Sequence, residues 1–135
     1  MAAFVLKNAS VVLNSVNISD HVASVTLDMS VSEIETTAMG DDNITRIGGL
    51  KDGSLSLELH QDFASSETDA TINGAFGTVV SFVVKADAGS VSATNPSYTG
   101  SVLVSQHTPV ANGVGELATQ SLTFPLSGAV TRATS

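Results

Sequence analysis

Two segments in which apolar and polar residues strictly alternate constrain the fold most. From residue 25 to 32, valine, leucine and methionine alternate with threonine, aspartate and serine, and from 55 to 60 three leucines alternate with polar residues. A period of two is that of a β-strand with one buried and one solvated face. These segments therefore predict two strands that each contribute one face to a hydrophobic core.

The connection between these strands, residues 33–53, is the candidate functional segment. It has no apolar periodicity that would bury it, and connections longer than about 12 to 15 residues are uncommon in compact domains unless they are functional or disordered. Its glycines increase the entropy of the free segment, so ordering it requires a partner surface. We therefore predict an assembly loop that is held loosely in the free subunit and ordered by a neighbouring subunit. Its candidate contact residues are Glu33, Glu35, Thr36, Thr37, Gly40, Asp41, Asp42, Arg46, Gly48, Gly49 and Lys51.

The remaining segments are also mostly strand-like. Apolar or β-branched runs predict strands at 11–13, 16–18, 22–32, 78–85, 98–106 and 118–126. A tight turn is predicted at Asn14 and Ser15. One helix is predicted near 66–77, where Ser66 and Asp69 have capping-box spacing.

These elements together predict a mainly β fold. Pro125 cannot donate a hydrogen bond to a β-ladder, which indicates a sheet edge or a bulge at that position. Strands followed by one short helix and then further strands are typical of a sandwich or barrel. The predicted fold is a single domain over residues 1–135, with two packed antiparallel β-sheets and one short flanking α-helix.

The polar surface carries unusually little charge. Only 13% of the residues are charged, about half the share in ordinary soluble domains, and the net charge is -8. Serine and threonine occupy polar strand positions that lysine and glutamate usually fill. Repetition around a symmetry axis brings identical charges together, so neutral faces favour self-assembly. The same composition argues against a nucleic-acid-binding protein, which needs clustered lysine and arginine.

Cysteine and targeting signals are absent from the sequence. Without cysteine, disulfides and thiolate metal sites are excluded. The first residues lack the basic and apolar regions of a secretory signal, and no window has the length and hydropathy of a membrane span. We therefore expect synthesis and folding in the cytoplasm.

Residues that could carry out chemistry are few and scattered. The Asp-Asp-Asn segment at 41–43 offers oxygen ligands but lacks EF-hand spacing, so a solvated turn is favoured over a calcium site. His21, His60 and His107 lie on separate predicted elements without a recognisable catalytic partner. Gly-Val-Gly at 113–115 lacks the third glycine of a dinucleotide-binding fingerprint. We therefore predict a protein that is not an enzyme and has no catalytic, cofactor-binding or metal-binding residues.

Short, turn-rich segments occur in a recognisable order along nearly the whole chain. They lie at 16–22, 24–27, 35–41, 48–55, 61–63, 95–100, 113–116 and 124–132. They include VNISDHV at the start, GGLKDGSL in the middle, and NPSYTG and FPLSGAVTR towards the end. In this order they resemble the major tail tube proteins of long-tailed bacteriophages.

The resemblance implies a structural role. Members of that family have two packed β-sheets with a flanking helix, and they form hexameric rings that stack into a hollow tube. The implied partners are further copies of the chain, a tape-measure protein, tail-tip and tail-terminator proteins, and DNA that passes through the lumen without specific binding. The implied location is the virion tail, after assembly in the host bacterial cytoplasm. No cofactor and no catalytic residue accompany the resemblance, and an acidic lumen would repel DNA phosphates and ease their passage.

Two other classes of protein share some of these features. A capsid decoration protein, or another virion β-protein, would also have polar but neutral strands and no cysteine. A secreted carbohydrate- or metal-binding β-sandwich would need a signal segment and clustered exposed aromatic or acidic residues, neither of which the sequence shows.

Overall fold

Two antiparallel sheets make up most of the protein in the computed structural model, which describes residues 5–65 and 67–135. Strands account for 48% and helix for 8% of the structure, which confirms the predicted mainly β fold with two sheets and one short helix. The strands are β1 (Ser10–Leu13), β2 (Val16–Asn17), β3 (Val22–Glu35), β4 (Arg46–His60), β5 (Val79–Lys85), β6 (Ser97–Leu103), β7 (Thr119–Pro125) and β8 (Thr131–Ala133). A 3-10 helix covers Ser19–His21, and the α-helix α1 covers Thr68–Ala75.

The strands divide into a larger and a smaller sheet. Sheet A has the strand order β2-β1-β5-β6-β8, and sheet B has the order β3-β4-β7. All the described strand pairs are antiparallel. Pro125 lies in β7 at the edge of sheet B, as predicted, where a missing N–H does not interrupt a further ladder.

The hydrophobic core lies between the two sheets. In sheet B, alternation directs Leu55, Leu57 and Leu59 inward, and in sheet A it directs Phe82 and Val102 inward; all five are at most 2% exposed. Full burial of each such side chain contributes about 1.5 to 3 kcal/mol to the stability of the folded state. The alternation that predicted the strands therefore also selects the core.

Local sequence explains the first hairpin and the helix. Asn14 and Ser15 join β1 to β2 with φ values of 52° and 66°, the left-handed conformation that a two-residue hairpin turn requires. Helix α1 buries Ile72 and Ala75 in the core. The predicted cap at Ser66 lies outside the described residues. Among the described residues, no helix has both the length and the apolar character needed to cross a membrane.

The predicted loop at 33–53 is wrong in its bounds. Strand β3 continues to Glu35 and β4 begins at Arg46, so only residues 36–45 connect them. The prediction failed because an extra residue in β4 shifts the register between Val31 and Glu33, so the apolar residues before and after it do not follow one period of two. The connection is therefore the tip of a long hairpin rather than a structureless loop.

Candidate assembly surface

The distal part of the β3–β4 hairpin extends beyond the rest of sheet B. Strand β7 pairs with β4 only over residues 54–60, so in the described sheets β3 and β4 pair only with each other between 29 and 53. We call residues 29–53, including the connecting loop, the arm. A two-stranded hairpin is at best marginally stable in water and gains stability from contact with another surface.

A β-bulge places apolar side chains on both faces of the arm. The register shifts by one residue between Val31 and Glu33. Within β3 the alternation is unbroken, so Val31 continues the core-facing side of the sheet and Ile34 lies on the other side. The shift brings Ile47 opposite Ile34, on that second side. Each face of the arm can therefore make apolar contacts.

Of two glycines in β4, Gly49 is the one that lies close under a side chain of β3. A Cβ atom at Gly49 would lie 2.8 Å from Cδ1 of Ile34, so the end of that side chain would have to shift. A Cβ atom at Gly48 would lie 3.4 Å from Cγ2 of Val31, which is an ordinary contact. Gly49 therefore makes room for Ile34, whereas Gly48 has space for a side chain.

Many apolar side chains of the arm are nevertheless exposed. Leu50 is 86% exposed and Met39, at the tip, is fully exposed. The others, each 47% to 58% exposed, are Met29, Val31, Ile34, Ile44 and Ile47. Contiguous exposed apolar side chains mark interaction surfaces. The sequence analysis did not include these residues among the candidate contact residues. Apolar residues inside a segment predicted to be solvated were the signal that could have identified them.

The predicted polar residues at the base of the tip hold the loop closed. The Thr36 N–H donates to the Thr45 carbonyl at 2.8 Å, and the Thr45 N–H donates to Oγ1 of Thr37 at 2.9 Å. The hydroxyls of Thr36 and Thr45 are 2.7 Å apart. These bonds tie the base of the tip loop within one subunit, and the ordering of the loop by a neighbouring subunit stays a prediction.

A tight turn completes the tip. The Asp41 N–H donates to the Ala38 carbonyl at 3.2 Å, and Oδ2 of Asp41 accepts from the Ala38 N–H at 2.8 Å. Gly40 has a φ of +94°, the conformation that the third position of a type II turn requires. Gly40 and Asp41 therefore shape the tip.

The charged candidate residues form only weak contacts. Nε of Arg46 lies 3.9 Å from Oε2 of Glu33, and the two side chains are 53% and 80% exposed. Such an exposed pair contributes under about 1 kcal/mol. Glu35 is the strand partner of Arg46, Lys51 lies in β4, and Asp42 is exposed in the tip loop. The structure thus brings all the predicted residues onto the arm, mostly in paired strands.

A second group of exposed apolar side chains lies at the opposite end of sheet B. Strand β4 runs from the arm to His60, which pairs with Thr119 at the start of β7. Four side chains in the segments next to this pair are each at least 63% exposed, and we call them the end patch: Phe63, Val110, Val114 and Leu117. The two exposed apolar surfaces are therefore separated by the length of the sheet.

A buried amide network fixes the loop that carries the end patch. Gln120 is 1% exposed, and its Nε2 donates to Oε1 of Gln61 at 3.1 Å. Nε2 of Gln61 donates to the Pro109 carbonyl at 2.8 Å, and the Gln61 N–H donates to the Ala118 carbonyl at 2.9 Å. Oε1 of Gln120 lies 3.2 Å from Nδ1 of His107. Buried amides satisfied in this way hold the loop against the sheet.

The face of sheet B that points away from the core is neutral to acidic. Its outward side chains are Ser24, Thr26, Asp28, Ser30, Asp52, Ser54, Ser56, Glu58, His60, Thr119, Ser121, Thr123 and Pro125. Three carboxylates are its fully charged groups, among hydroxyls that bond to one another across strands, as Ser56 and Thr123 do at 3.3 Å. We call this surface the outer face.

Neither the comparison with protein-family models nor that with curated proteins gave a match to this chain. The functional argument therefore rests on the arm, the end patch and the outer face.

Proposed function

We propose that this protein is a structural subunit that polymerises head to tail into a hollow tube of the phage tail type. The arm of one copy docks on the end patch of the next. The observation that carries the proposal is the placement of two exposed apolar surfaces at opposite ends of one sheet. A contact between unlike surfaces can add subunits indefinitely, whereas a two-fold contact between like surfaces closes at two copies.

The length of the arm supports contact between successive subunits. Strand β4 extends over residues 46–53 beyond its last pair with β7. At about 3.4 Å per residue this is about 27 Å, enough to cross a boundary between stacked subunits. Burial of its apolar side chains supplies a favourable free energy that is roughly proportional to the area removed from water.

The outer face supports a role as the wall of a conduit. In the tube, we expect this face to line the lumen, with Asp28, Asp52 and Glu58 as its charged groups. An acidic, hydroxyl-rich wall repels phosphates and offers no cationic group for DNA to bind. The tape-measure, tail-tip and tail-terminator proteins belong to the same proposal as partners of the tube.

The test is a mixing experiment with two blocked variants. One variant carries Ile47→Asp and Leu50→Asp on the arm, and the other carries Phe63→Asp and Leu117→Asp on the end patch. All four positions are at least 58% exposed, so both variants should fold. Each should fail to form rings or tubes alone, as measured by sedimentation velocity and negative-stain microscopy. Mixed, they should form a one-to-one dimer that does not grow, through the intact arm of one and the intact patch of the other.

A matched control separates this contact from a general effect of added charge. Val79→Asp makes the same chemical change at an exposed position, 54% exposed, in sheet A, and it should still polymerise. Failure of the blocked variants to pair in the mixture contradicts the head-to-tail contact. A parent protein that forms trimers on capsid shells, and no tubes under any condition, favours a capsid decoration protein instead.

A further inference from the structure

Four side chains meet at the end of sheet B that is opposite the arm. Nε2 of His21, in the 3-10 helix, lies 2.8 Å from Oε2 of Glu67, just before α1. It lies 3.3 Å from Oδ2 of Asp62 and 3.6 Å from Oδ2 of Asp20. We call Asp20, His21, Asp62 and Glu67 the His21 cluster. Its members come from two segments separated by about 40 residues of chain. The ligand atoms of Asp20, His21 and Glu67 form one mutually close group, and Asp62 joins it through its contact with His21.

Hydrogen bonding alone does not account for this convergence. An imidazole Nε2 carries at most one hydrogen and can donate to one carboxylate. The bond to Glu67 uses that hydrogen, and two further carboxylate oxygens still point at the same nitrogen. Three carboxylate oxygens therefore converge on one nitrogen, an arrangement that a shared cation would account for.

The spacing of the ligand atoms matches a small metal ion. Zn²⁺ binds imidazole nitrogen and carboxylate oxygen at about 2.0 to 2.2 Å in a tetrahedron, which puts neighbouring ligand atoms about 3.3 to 3.6 Å apart. The distances from Nε2 to the oxygens of Asp62 and Asp20, 3.3 and 3.6 Å, lie in this range. The distance to Glu67, 2.8 Å, is that of a hydrogen bond, so this carboxylate must move back slightly when the ion replaces the hydrogen. The ligand atoms of Asp20, His21 and Glu67 all lie within 4.8 Å of one another. We infer that the His21 cluster binds one divalent transition-metal ion, and that Zn²⁺ fits it best.

Neighbouring backbone groups orient the ligands, as they do at metal sites generally. Oδ1 of Asp62 accepts from the Ala64 N–H at 2.9 Å, which turns Oδ2 towards His21. The Asp62 carbonyl accepts from the Asp69 N–H at 3.0 Å, and the His21 N–H donates to the Ile18 carbonyl at 3.0 Å. The side chain of His21 is 18% exposed, whereas that of Asp20 is 73% exposed. The site is thus sheltered on one side and open to an incoming ion on the other.

The ion would stabilise a specific part of the fold. It joins the 3-10 helix that precedes β3 to the segment that leads from β4 into α1. That binding is stabilising because a folded-state ligand shifts the unfolding equilibrium by mass action. This site does not depend on the assembly proposed above, since its ligands all belong to one chain.

The experiment uses the full chain and Zn²⁺ itself. Equilibrium dialysis with metal-free protein at pH 7.5 should give one Zn²⁺ per chain, and saturation should raise the midpoint of thermal unfolding by about 5 °C or more. X-ray absorption of the Zn²⁺ complex should show one imidazole nitrogen and otherwise oxygen ligands. His21→Ala should lower the affinity at least tenfold, and Glu67→Gln should lower it while preserving the fold, as checked by circular dichroism.

His60→Ala provides the matched control, because His60 is an exposed histidine in the neighbouring strand. It should bind Zn²⁺ with the affinity of the parent protein. The inference is overturned by a parent protein that binds no Zn²⁺, by binding that survives both cluster variants unchanged, or by binding lost in the His60 variant. Because dialysis reads the monomer, a failure here leaves the tube proposal untouched, and a failure of polymerisation leaves the metal site untouched.

Discussion

Gly53 is the position in sheet B that least tolerates a side chain. A Cβ atom there would overlap the main-chain oxygen of Asp28 and would lie 2.8 Å from Cδ1 of Leu126. The Gly53 carbonyl also accepts from the Leu126 N–H at 3.0 Å. The residue thus marks the point where the arm leaves the sheet and where β7 gives way to the following turn. Gly74 in α1 is the opposite case, with nothing within 4 Å of an added Cβ.

Two alanine substitutions should therefore change stability in opposite directions. Gly53→Ala should lower the free energy of unfolding by about 1 to 3 kcal/mol, because the backbone of β3 or β4 must shift. Gly74→Ala should raise it by about 0.5 to 1 kcal/mol through helix propensity. Urea denaturation followed by circular dichroism measures both. Equal effects of the two changes would mean that the close approach at Gly53 does not constrain the sheet.

Strands with unbroken alternation could be predicted from the sequence, and the arm could not. In β7, Leu122 and Phe124 alternate with serine and threonine and lie in the core, since packing and period agree there. In the arm, Val31 pairs with Lys51, and the bulge then brings Ile47 to the opposite face. The pairing between the two strands decides on which face Ile47 lies, and this cannot be inferred from the residue pattern of one strand.

The location of the candidate site in the chain could be predicted, but the roles of its residues could not. The polar residues of the tip and the glycines drew attention to the segment that the structure places in the arm, yet Thr36 and Thr45 close the loop and Gly49 makes room for Ile34. The cluster around His21 was not predictable, because Asp62 and Glu67 lie about 40 residues or more further along the chain. Contacts that depend on tertiary structure leave no local signal.

The tip loop itself can be removed to test its role. Replacing residues 37–44 with Asn-Gly leaves Thr36 and Thr45 as the last pair and gives the turn that a two-residue hairpin favours. We expect the free energy of unfolding of the shortened subunit to lie within about 1 kcal/mol of that of the parent, because the loop contributes no side chain to the buried core. It should bind the arm-blocked variant more weakly than the parent does, since Met39 and Ile44 are gone.

Sedimentation velocity of that mixture measures the weakening, and Gly40→Ala is the control. Gly40 has φ +94° and nothing near an added Cβ, so alanine strains the tip without removing its apolar side chains. Pairing that is unchanged in the shortened subunit would restrict the contact to the paired strands of the arm.

In the proposed polymer, the net charge of the subunit sets the response of assembly to salt. If six copies form a ring, the formal charge is 6 × -8 = -48 per ring. The Debye length falls from about 30 Å at 0.01 M to about 3 Å at 1 M ionic strength, so repulsion between copies is screened. Rings and tubes should therefore form at lower protein concentration at about 0.5 M than at about 0.05 M NaCl.

Pelleting assays with microscopy measure this dependence. NaCl leaves apolar contacts largely intact. A contact between the arm and the end patch should therefore persist as NaCl rises, while the repulsion between copies decreases. Tubes that dissolve as NaCl rises would instead assign the main contact to ion pairs between subunits.

The two apolar faces of the arm have a consequence for the rate at which the proposed tube forms. In that tube, an arm inserted between two neighbours can bury both faces, whereas the first two copies to meet bury only one. The earliest complexes are then less stable per contact than later ones, so growth requires a nucleus. Tube formation followed by light scattering should show a lag that shortens steeply with concentration and vanishes when preformed fragments are added as seeds.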